Sequence, residues 1–156
     1  MAIEIERKFL VVADAWRSQV TSSRAMIQFY LSRGGRASVR VRTEDGQRAC
    51  LTIKAATQGR KRIELEYPLS VDDARQMMEL AEGHIIEKVR HIVPHQGQLW
   101  EVDVFAGANG GLVVAEAELD CETQSLVLPT WVGREVTDER RYYNASLAER
   151  PFKSWA

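Results

Sequence analysis

The chain has 156 residues, of which 45% are hydrophobic, and a formal net charge of −1 at pH 7. These values are typical of a globular protein with a sizeable core, and we expect a single domain over residues 1–156. The near-neutral charge argues against a nucleic-acid partner or a polybasic membrane surface. No apolar stretch approaches the length of a membrane span.

The two cysteines, Cys50 and Cys121, are far apart in the sequence. A disulfide framework is therefore not expected, and a reducing compartment fits better. The first residues are charged from Glu4 onward and lack the basic-then-apolar pattern of a signal segment. We expect a cytoplasmic protein. Its oligomeric state stays open, a homodimer included.

Eight segments have the period-two alternation or the β-branched composition of strands. In chain order they are residues 3–10, 26–32, 38–43, 48–54, 61–69, 85–93, 98–105 and 112–119. Tight turn signals such as Gly34-Gly35 and Asp45-Gly46 join several of them. Short connections of this kind predict antiparallel pairing of neighbouring strands.

Helices are fewer. The clearest one is predicted over residues 70–82, where Ser70 can cap the first turn and Gly83 follows the last. Its apolar side indicates packing against a sheet. Shorter helices are expected at three further places: residues 14–20, after Asp120 and after Asn144.

The second face of each predicted strand is charged, and the sign of the charge is sorted by strand. Basic pairs occur at Arg40 and Arg42 and at Lys88 and Arg90; acidic pairs occur at Glu4 and Glu6, Glu64 and Glu66, Glu101 and Asp103, and Glu116 and Glu118. Same-face neighbours lie about 7 Å apart. At an effective dielectric of about 20, two like charges at that distance repel by roughly 2 kcal/mol.

A half-exposed sheet with a solvated face explains the alternation, but such faces usually mix their signs. Clustered carboxylates instead attract Mg²⁺ or Mn²⁺, and clustered arginines and lysines attract phosphates. The pattern therefore favours a polyanion bound through metal ions. Closing the strands with the charged face inward predicts an α+β, mainly β fold: an eight-stranded antiparallel barrel with a charged tunnel and a few amphipathic helices outside.

The N-terminal Glu4-Ile5-Glu6-Arg7-Lys8 resembles the signature of the CYTH superfamily, the triphosphate tunnel metalloenzymes. The resemblance continues in Val39-Arg40-Val41-Arg42, Thr52-Ile53-Lys54, Glu64-Leu65-Glu66, Glu87-Lys88-Val89-Arg90, Glu101-Val102-Asp103, Glu116-Ala117-Glu118 and the stretch from Asp138 to Asn144. It implies a metal-dependent enzyme that hydrolyses inorganic triphosphate to pyrophosphate and phosphate, as in compact bacterial members.

The family pattern also implies roles for single residues. The metal, Mg²⁺ or Mn²⁺, would be held by Glu4, Glu6, Glu116 and Glu118. Phosphoryl oxygens would be bound by Lys8, Arg40, Arg42, Lys54, Arg62, Lys88, Arg90 and Arg140. The remaining acidic lining would consist of Glu64, Glu66, Glu101 and Asp103. The implied catalytic residues are Glu4, Tyr30 and Lys88, with Lys88 assisting the leaving phosphate.

Two residue assignments stay open. A phenol has a pKa of about 10, so for Tyr30 we favour phosphate contact or gating over a role as base. Related members tend to have a lysine where this chain has Arg140, and the sequence does not decide whether Arg140 or Arg141 points inward.

Other functions also stay open. The same tunnel could serve a hydrolase or cyclase that acts on ATP or thiamine triphosphate. It could belong to a non-catalytic module that binds polyphosphate. A β-domain with a charged surface and no site is the remaining alternative.

Overall fold

The computed structural model describes residues 3–55 and 61–155, and within them it has nine strands and two α-helices. The strands are β1 (Ile3–Val11), β2 (Ser22–Ser32), β3 (Ala37–Glu44), β4 (Arg48–Ala55), β5 (Lys61–Leu69), β6 (Glu82–His95), β7 (Gln98–Phe105), β8 (Val113–Glu118) and β9 (Val132–Glu135). The helices are α1 (Val71–Met77) and α2 (Asn144–Glu149). Short 3₁₀ turns lie at Ala15–Gln19, Met78–Leu80, Gly107–Asn109, Arg140–Tyr142 and Phe152–Ser154. None of the helices in the described ranges could span a lipid bilayer.

Strands β1 to β8 form a closed antiparallel barrel. Their order around it is β1, β5, β4, β3, β2, β6, β7 and β8, which pairs with β1 again. The β1–β5 pairing, which sets Glu4 opposite Arg62, closes the ring. On the other edge of β1, Lys8 lies opposite Glu116. The predicted α+β, mainly β fold with an eight-stranded antiparallel barrel is confirmed, and closure removes the two free sheet edges.

The ninth strand was not predicted. It pairs with the end of β1, where Phe9 lies opposite Glu135 and Val11 opposite Val132, with a register shift between them. Strand β9 has four residues, and Gly133 is one of them. A segment this short carries too little alternation to be recognised from sequence.

The barrel turns its charged face inward and its apolar face outward. Two cores cover the outer face. In one, Phe9 and Trp100 pack with Trp16 from the Ala15–Gln19 turn and with Trp131. In the other, Phe29 and Val41 pack under Ala74 of α1. Helix α1 thus covers the outside of the barrel, as its amphipathic pattern predicts.

A third core lies on the inner face, at one end of the barrel. Phe105 lies opposite Lys88 and Val114 opposite Asp103, so both share the face of the charged residues. They pack with Leu147 of α2. Helix α2 therefore packs onto the inner face, whereas the sequence pattern predicts helices on the outside of the barrel. The reason is that the inner face changes from charged to apolar along the barrel.

The helix boundaries differ in part from the prediction. The Ser70 hydroxyl caps α1 by accepting a hydrogen bond from the backbone N–H of Asp73 at 3.0 Å. The helix ends at Met77, short of residue 82, because β6 already begins at Glu82. In the region predicted as a helix at residues 14–20, the structure has a 3₁₀ turn at Ala15–Gln19, and no helix forms between Asp120 and Pro129. There the chain follows the outer face of the barrel, where Leu126 and Trp131 pack.

Gly83 allows α2 to approach β6, and its replacement is expected to loosen this contact. It has φ of +77°, and a Cβ there would lie 2.5 Å from the Ala148 carbonyl oxygen. Gly97 has φ of +80° but open space around it, so it is a control for backbone strain alone. We expect both alanine variants to lose about 1 kcal/mol of unfolding free energy to strain. Gly83→Ala should lose roughly 1–3 kcal/mol more, because α2 must move.

Urea denaturation of the two variants measures this difference. Equal losses for Gly83→Ala and Gly97→Ala would contradict the close packing of α2 on β6.

Candidate active site

A cavity of about 700 Å³ occupies the charged part of the barrel interior. The predicted site residues that line it are Glu4, Glu6, Lys8, Tyr30, Arg40, Arg42, Lys54, Arg62, Glu64, Glu66, Lys88, Arg90, Glu101, Glu116, Glu118 and Arg140. Of the predicted set, Asp103 alone is absent from this lining. Strand alternation explains the convergence, because inward positions recur every second residue on each strand.

Asp103 was predicted to be part of the acidic lining, but it does not line the cavity. The residue is 2% exposed and contacts two cations that face the cavity, Lys88 and Arg90. Its two carboxylate oxygens accept hydrogen bonds from Nε and Nη2 of Arg90, at 2.8 and 2.9 Å. One of them also accepts from Lys88 Nζ at 2.7 Å. Burial alone would raise the pKa of Asp103, but Arg90 and Lys88 outweigh burial and hold it well below its usual range.

Lys88 is held in place from two sides. Its ammonium donates to Asp103 and, at 3.1 Å, to Oδ1 of Asn144. Burial lowers the pKa of Lys88 from its ordinary value; Asp103 opposes this shift, while Arg90 adds to it. A buried ammonium beside a second cation gives up its proton more readily than an exposed lysine.

The cationic wall also includes Arg40 and Arg42. Arg40 Nη2 donates to the Thr52 hydroxyl at 3.1 Å. Burial lowers the pKa of Arg42 to about 10, and Arg40 adds to this shift. Arg40 and Arg42 face the cavity, and among the described residues their side chains bond to Thr52 and Gln28 and form no ion pair with a carboxylate, which suits them to bind an anion.

The acidic side contains carboxyl groups close enough to influence one another's ionisation. Glu6 acts in this way on both Glu4 and Glu116. Burial raises the pKa of Glu116, and the neighbouring Glu6 raises it further. Glu118, the fourth predicted metal ligand, is exposed at the rim, and burial together with Glu101 raises its pKa. Carboxyl groups that raise one another's pKa in this way must share protons or be neutralised by cations.

Side-chain cations partly neutralise this acidic side. Lys54 Nζ lies 3.1 Å from Glu4 Oε2 and 3.5 Å from a Glu64 oxygen. Arg62 forms an ion pair with Glu6. Even so, Oε2 of Glu4 is buried and accepts no hydrogen bond with good geometry within the described residues. The four predicted metal ligands offer only carboxylate oxygens, and such oxygens are the ligands that Mg²⁺ and Mn²⁺ prefer.

No three side chains of the Asp, Glu, His or Cys type in the described ranges already form a coordination shell. The carboxylates fit a divalent cation by chemistry and charge. In the described structure, however, these carboxylates form ion pairs with lysine and arginine side chains.

Tyr30 and Arg140 complete the wall of the cavity. Burial raises the pKa of the Tyr30 hydroxyl, although nearby cations, led by Arg40, oppose this shift. A raised pKa is unfavourable for a base. Arg140 lines the cavity. Arg141 instead stacks on Trp155 and Tyr142, with its guanidinium carbon 4.6 and 5.1 Å from the ring centres.

Several residues at this site were not identified from sequence. Arg24, Arg33, Tyr143 and Asn144 also line the cavity, and the buried Gln28 links Arg42 to Asn144. Gln28 has the inward parity of Tyr30, so strand alternation could have found it. Tyr143 and Asn144 belong to the C-terminal motif, and only the packing of α2 brings them to the cavity.

Asp103→Asn is expected to lower the free energy of unfolding by about 3–5 kcal/mol, because it leaves buried cations without their carboxylate. Glu101→Gln, two residues away, is the matched control. Glu101 pairs with Arg90 at 3.2 Å but is one-third exposed, so its loss should cost about 1 kcal/mol or less. Urea denaturation at neutral pH measures both changes. A small loss for Asp103→Asn would contradict its role as the common partner of Lys88 and Arg90.

Comparison with known proteins identifies the family. The family model described as "CYTH domain" matches residues 2–151. An inorganic triphosphatase from Acetivibrio thermocellus is 40% identical over 156 residues, with 99% of each chain covered. Another from Nitrosomonas europaea is 35% identical over 150 residues, covering 93% of this chain and 96% of the relative. A solved structure of an inorganic triphosphatase superposes with a TM-score of 0.69 at 32% identity, covering 95% of both chains. The chain therefore belongs to the CYTH-domain family.

Proposed function

We propose that this protein is an enzyme that hydrolyses inorganic triphosphate to pyrophosphate and phosphate with the help of a divalent metal ion. The observation that carries the proposal is a single cavity in which a cationic wall faces a group of carboxyl groups. A linear polyanion that carries its own divalent cation matches both halves. The relatives at 40% and 35% identity are inorganic triphosphatases, which supports the same substrate here.

The cationic wall would bind the phosphoryl oxygens. Arg40, Arg42 and Arg90 supply planar donor groups that suit phosphate oxygens. Arg90 is already oriented by its two bonds to Asp103. Donors fixed in advance stabilise the charge that builds up during phosphoryl transfer without further reorganisation. Lys8, Lys54, Arg62 and Arg140 would add positive charge around the rest of the ligand.

The acidic side would hold Mg²⁺ or Mn²⁺ through Glu4, Glu6, Glu116 and Glu118. A bound divalent cation supplies charge neutralisation on the phosphoryl oxygens and activates water. Lys54 and Arg62 pair with Glu4 and Glu6 in the described structure. We expect these two cations to turn from the carboxylates to phosphate oxygens when substrate and metal enter.

Lys88 would protonate the leaving pyrophosphate. Burial lowers the pKa of Lys88, so the ammonium gives up its proton more easily than an exposed lysine. Tyr30 would donate a hydrogen bond to a phosphoryl oxygen, because burial raises its pKa and keeps the phenol protonated. Glu4 would act through the metal.

The lining favours an inorganic substrate over an organic one. Apart from Tyr30 and Tyr143, the described lining is made of charged, small polar and a few aliphatic residues. The Tyr143 ring already has the cations of Lys8 and Arg62 at 5.3 and 5.4 Å from its centre. A nucleobase or thiamine ring would find little apolar surface there.

Phosphate release from inorganic triphosphate with Mg²⁺ or Mn²⁺ tests this function. We expect turnover that EDTA abolishes, and losses of roughly 100-fold or more for Glu4→Gln and Glu116→Gln, because both remove a carboxylate from the metal side. Glu79→Gln, on the exposed 3₁₀ turn after α1, should retain activity. Cyclic AMP formed from ATP would indicate a cyclase. Tight binding without turnover under either metal would indicate a binding module.

Metal affinity is expected to rise with pH. Burial, and then Glu6, raises the pKa of Glu116, so its proton competes with the metal at a higher pH than for an ordinary glutamate. We expect Mn²⁺ binding, followed by electron paramagnetic resonance, to keep strengthening as the pH rises above the ordinary glutamate pKa of about 4.3. Glu116→Gln should weaken the binding and flatten its pH dependence, while Glu79→Gln should match the unmodified protein. A pH-independent affinity would contradict the assignment of Glu116.

A further inference from the structure

Gln28 is a completely buried polar side chain on β2, with 0% exposure. Its Oε1 accepts a hydrogen bond from Arg42 Nε at 3.3 Å, and its Nε2 donates to Asn144 Oδ1 at 2.8 Å. A guanidinium can only donate hydrogen bonds. The oxygen of Gln28 must therefore face Arg42, and its amide nitrogen must face Asn144.

The same reasoning fixes the direction of the Asn144 amide. Its Oδ1 also accepts a hydrogen bond from Lys88 Nζ at 3.1 Å, and an ammonium has no acceptor. Because both neighbours of Oδ1 are donors, Nδ2 must turn away from them. Asn144 is half-buried and lines the cavity, and within the described residues its Nδ2 neither donates a hydrogen bond nor is sealed from solvent.

We propose that Asn144 binds a phosphoryl oxygen of the substrate through Nδ2 while its Oδ1 positions the Lys88 ammonium. Gln28 is the positioning residue that fixes the direction of the Asn144 amide. The ligand class, a linear triphosphate, rests on the function proposed above. Asp103 and Asn144 accept two of the three N–H groups of Lys88. The third N–H has no hydrogen-bond acceptor among the described residues, and Lys88 lines the cavity, so this N–H is left for the ligand.

The chemistry requires an amide at position 144. An aspartate there would still accept hydrogen bonds from Lys88 and Gln28, so it would keep the positioning contacts. It would lose the donor that faces the cavity and would place a negative charge against the phosphate. Alanine would remove the donor and both accepted bonds without adding charge.

The unmodified protein provides the first test. Asn109 and Asn144 are its only asparagines. Asn109 is 1% exposed and does not line the cavity. Its Oδ1 accepts a hydrogen bond from the backbone N–H of Phe152 at 2.8 Å. Asn109 therefore provides an internal reference. In protein labelled with ¹⁵N in the asparagine side chains, a methylene-bridged triphosphate analogue with Mg²⁺ should shift the Asn144 NH₂ signals and leave those of Asn109 in place. Calorimetric binding without a shift at Asn144 would overturn the proposal.

Variants provide the second test. We expect Asn144→Ala to weaken binding of the same analogue about tenfold or more, as for loss of a hydrogen bond to a charged group. Asn144→Asp should weaken it further. Gln76→Glu makes the same amide-to-carboxylate change on the exposed face of α1 and should stay within about twofold. Folded Asn144 variants that bind like the unmodified protein would overturn the contact.

A double-mutant cycle tests the link to Lys88. In a Lys88→Met background, Asn144→Ala should reduce the affinity for the analogue less than it does in the unmodified protein. The reason is that the hydrogen bond between Lys88 and Asn144 is already absent there. Full additivity would overturn the positioning part of the proposal.

If the variants do not fold, the asparagine signals of the unmodified protein decide. Analogue binding without phosphate release from triphosphate would contradict the proposed function alone; an absence of analogue binding would overturn both.

Discussion

Confining many charges inside one barrel is costly, because each buried ion loses its hydration and must find a partner in the protein. Asp103 is the partner on which the cationic wall depends. It is almost fully buried and contacts both Lys88 and Arg90. With this carboxylate in place, the cations can lie close together and keep a fixed direction toward the cavity. The same contact keeps the pKa of Asp103 low even though it is buried.

The two sides of the cavity are built differently. On the cationic side, Asp103, Thr52 and Gln28 hold the arginine and lysine groups from behind. On the acidic side, the carboxylates pair with Lys54 and Arg62, which themselves line the cavity. A ligand can therefore meet a preorganised cationic wall, whereas the acidic side must exchange its partners. This asymmetry suits a polyanion that brings a divalent cation with it.

Apolar packing supports this charged interior from several directions. The tryptophan-rich core around Trp100 and the core under α1 cover the outer face of the barrel. At one end of the interior, Leu147 and Ala148 of α2 pack on inward-facing apolar residues. This packing also brings Asn144 to Lys88, so the C-terminal segment stabilises the fold and contributes to the site.

The sequence by itself determined the eight barrel strands, the inward charged face and most of the cavity lining, because strand alternation assigns each side chain to a face regardless of long-range contacts. Tertiary structure decided what depends on contacts between distant segments. It separated Asp103 from the lining, because two neighbouring cations cover it. It assigned Arg140 to the cavity, since Arg141 stacks on Trp155. It also formed β9 and placed α2 against the inner face, because their pairing and packing partners lie far away in the sequence.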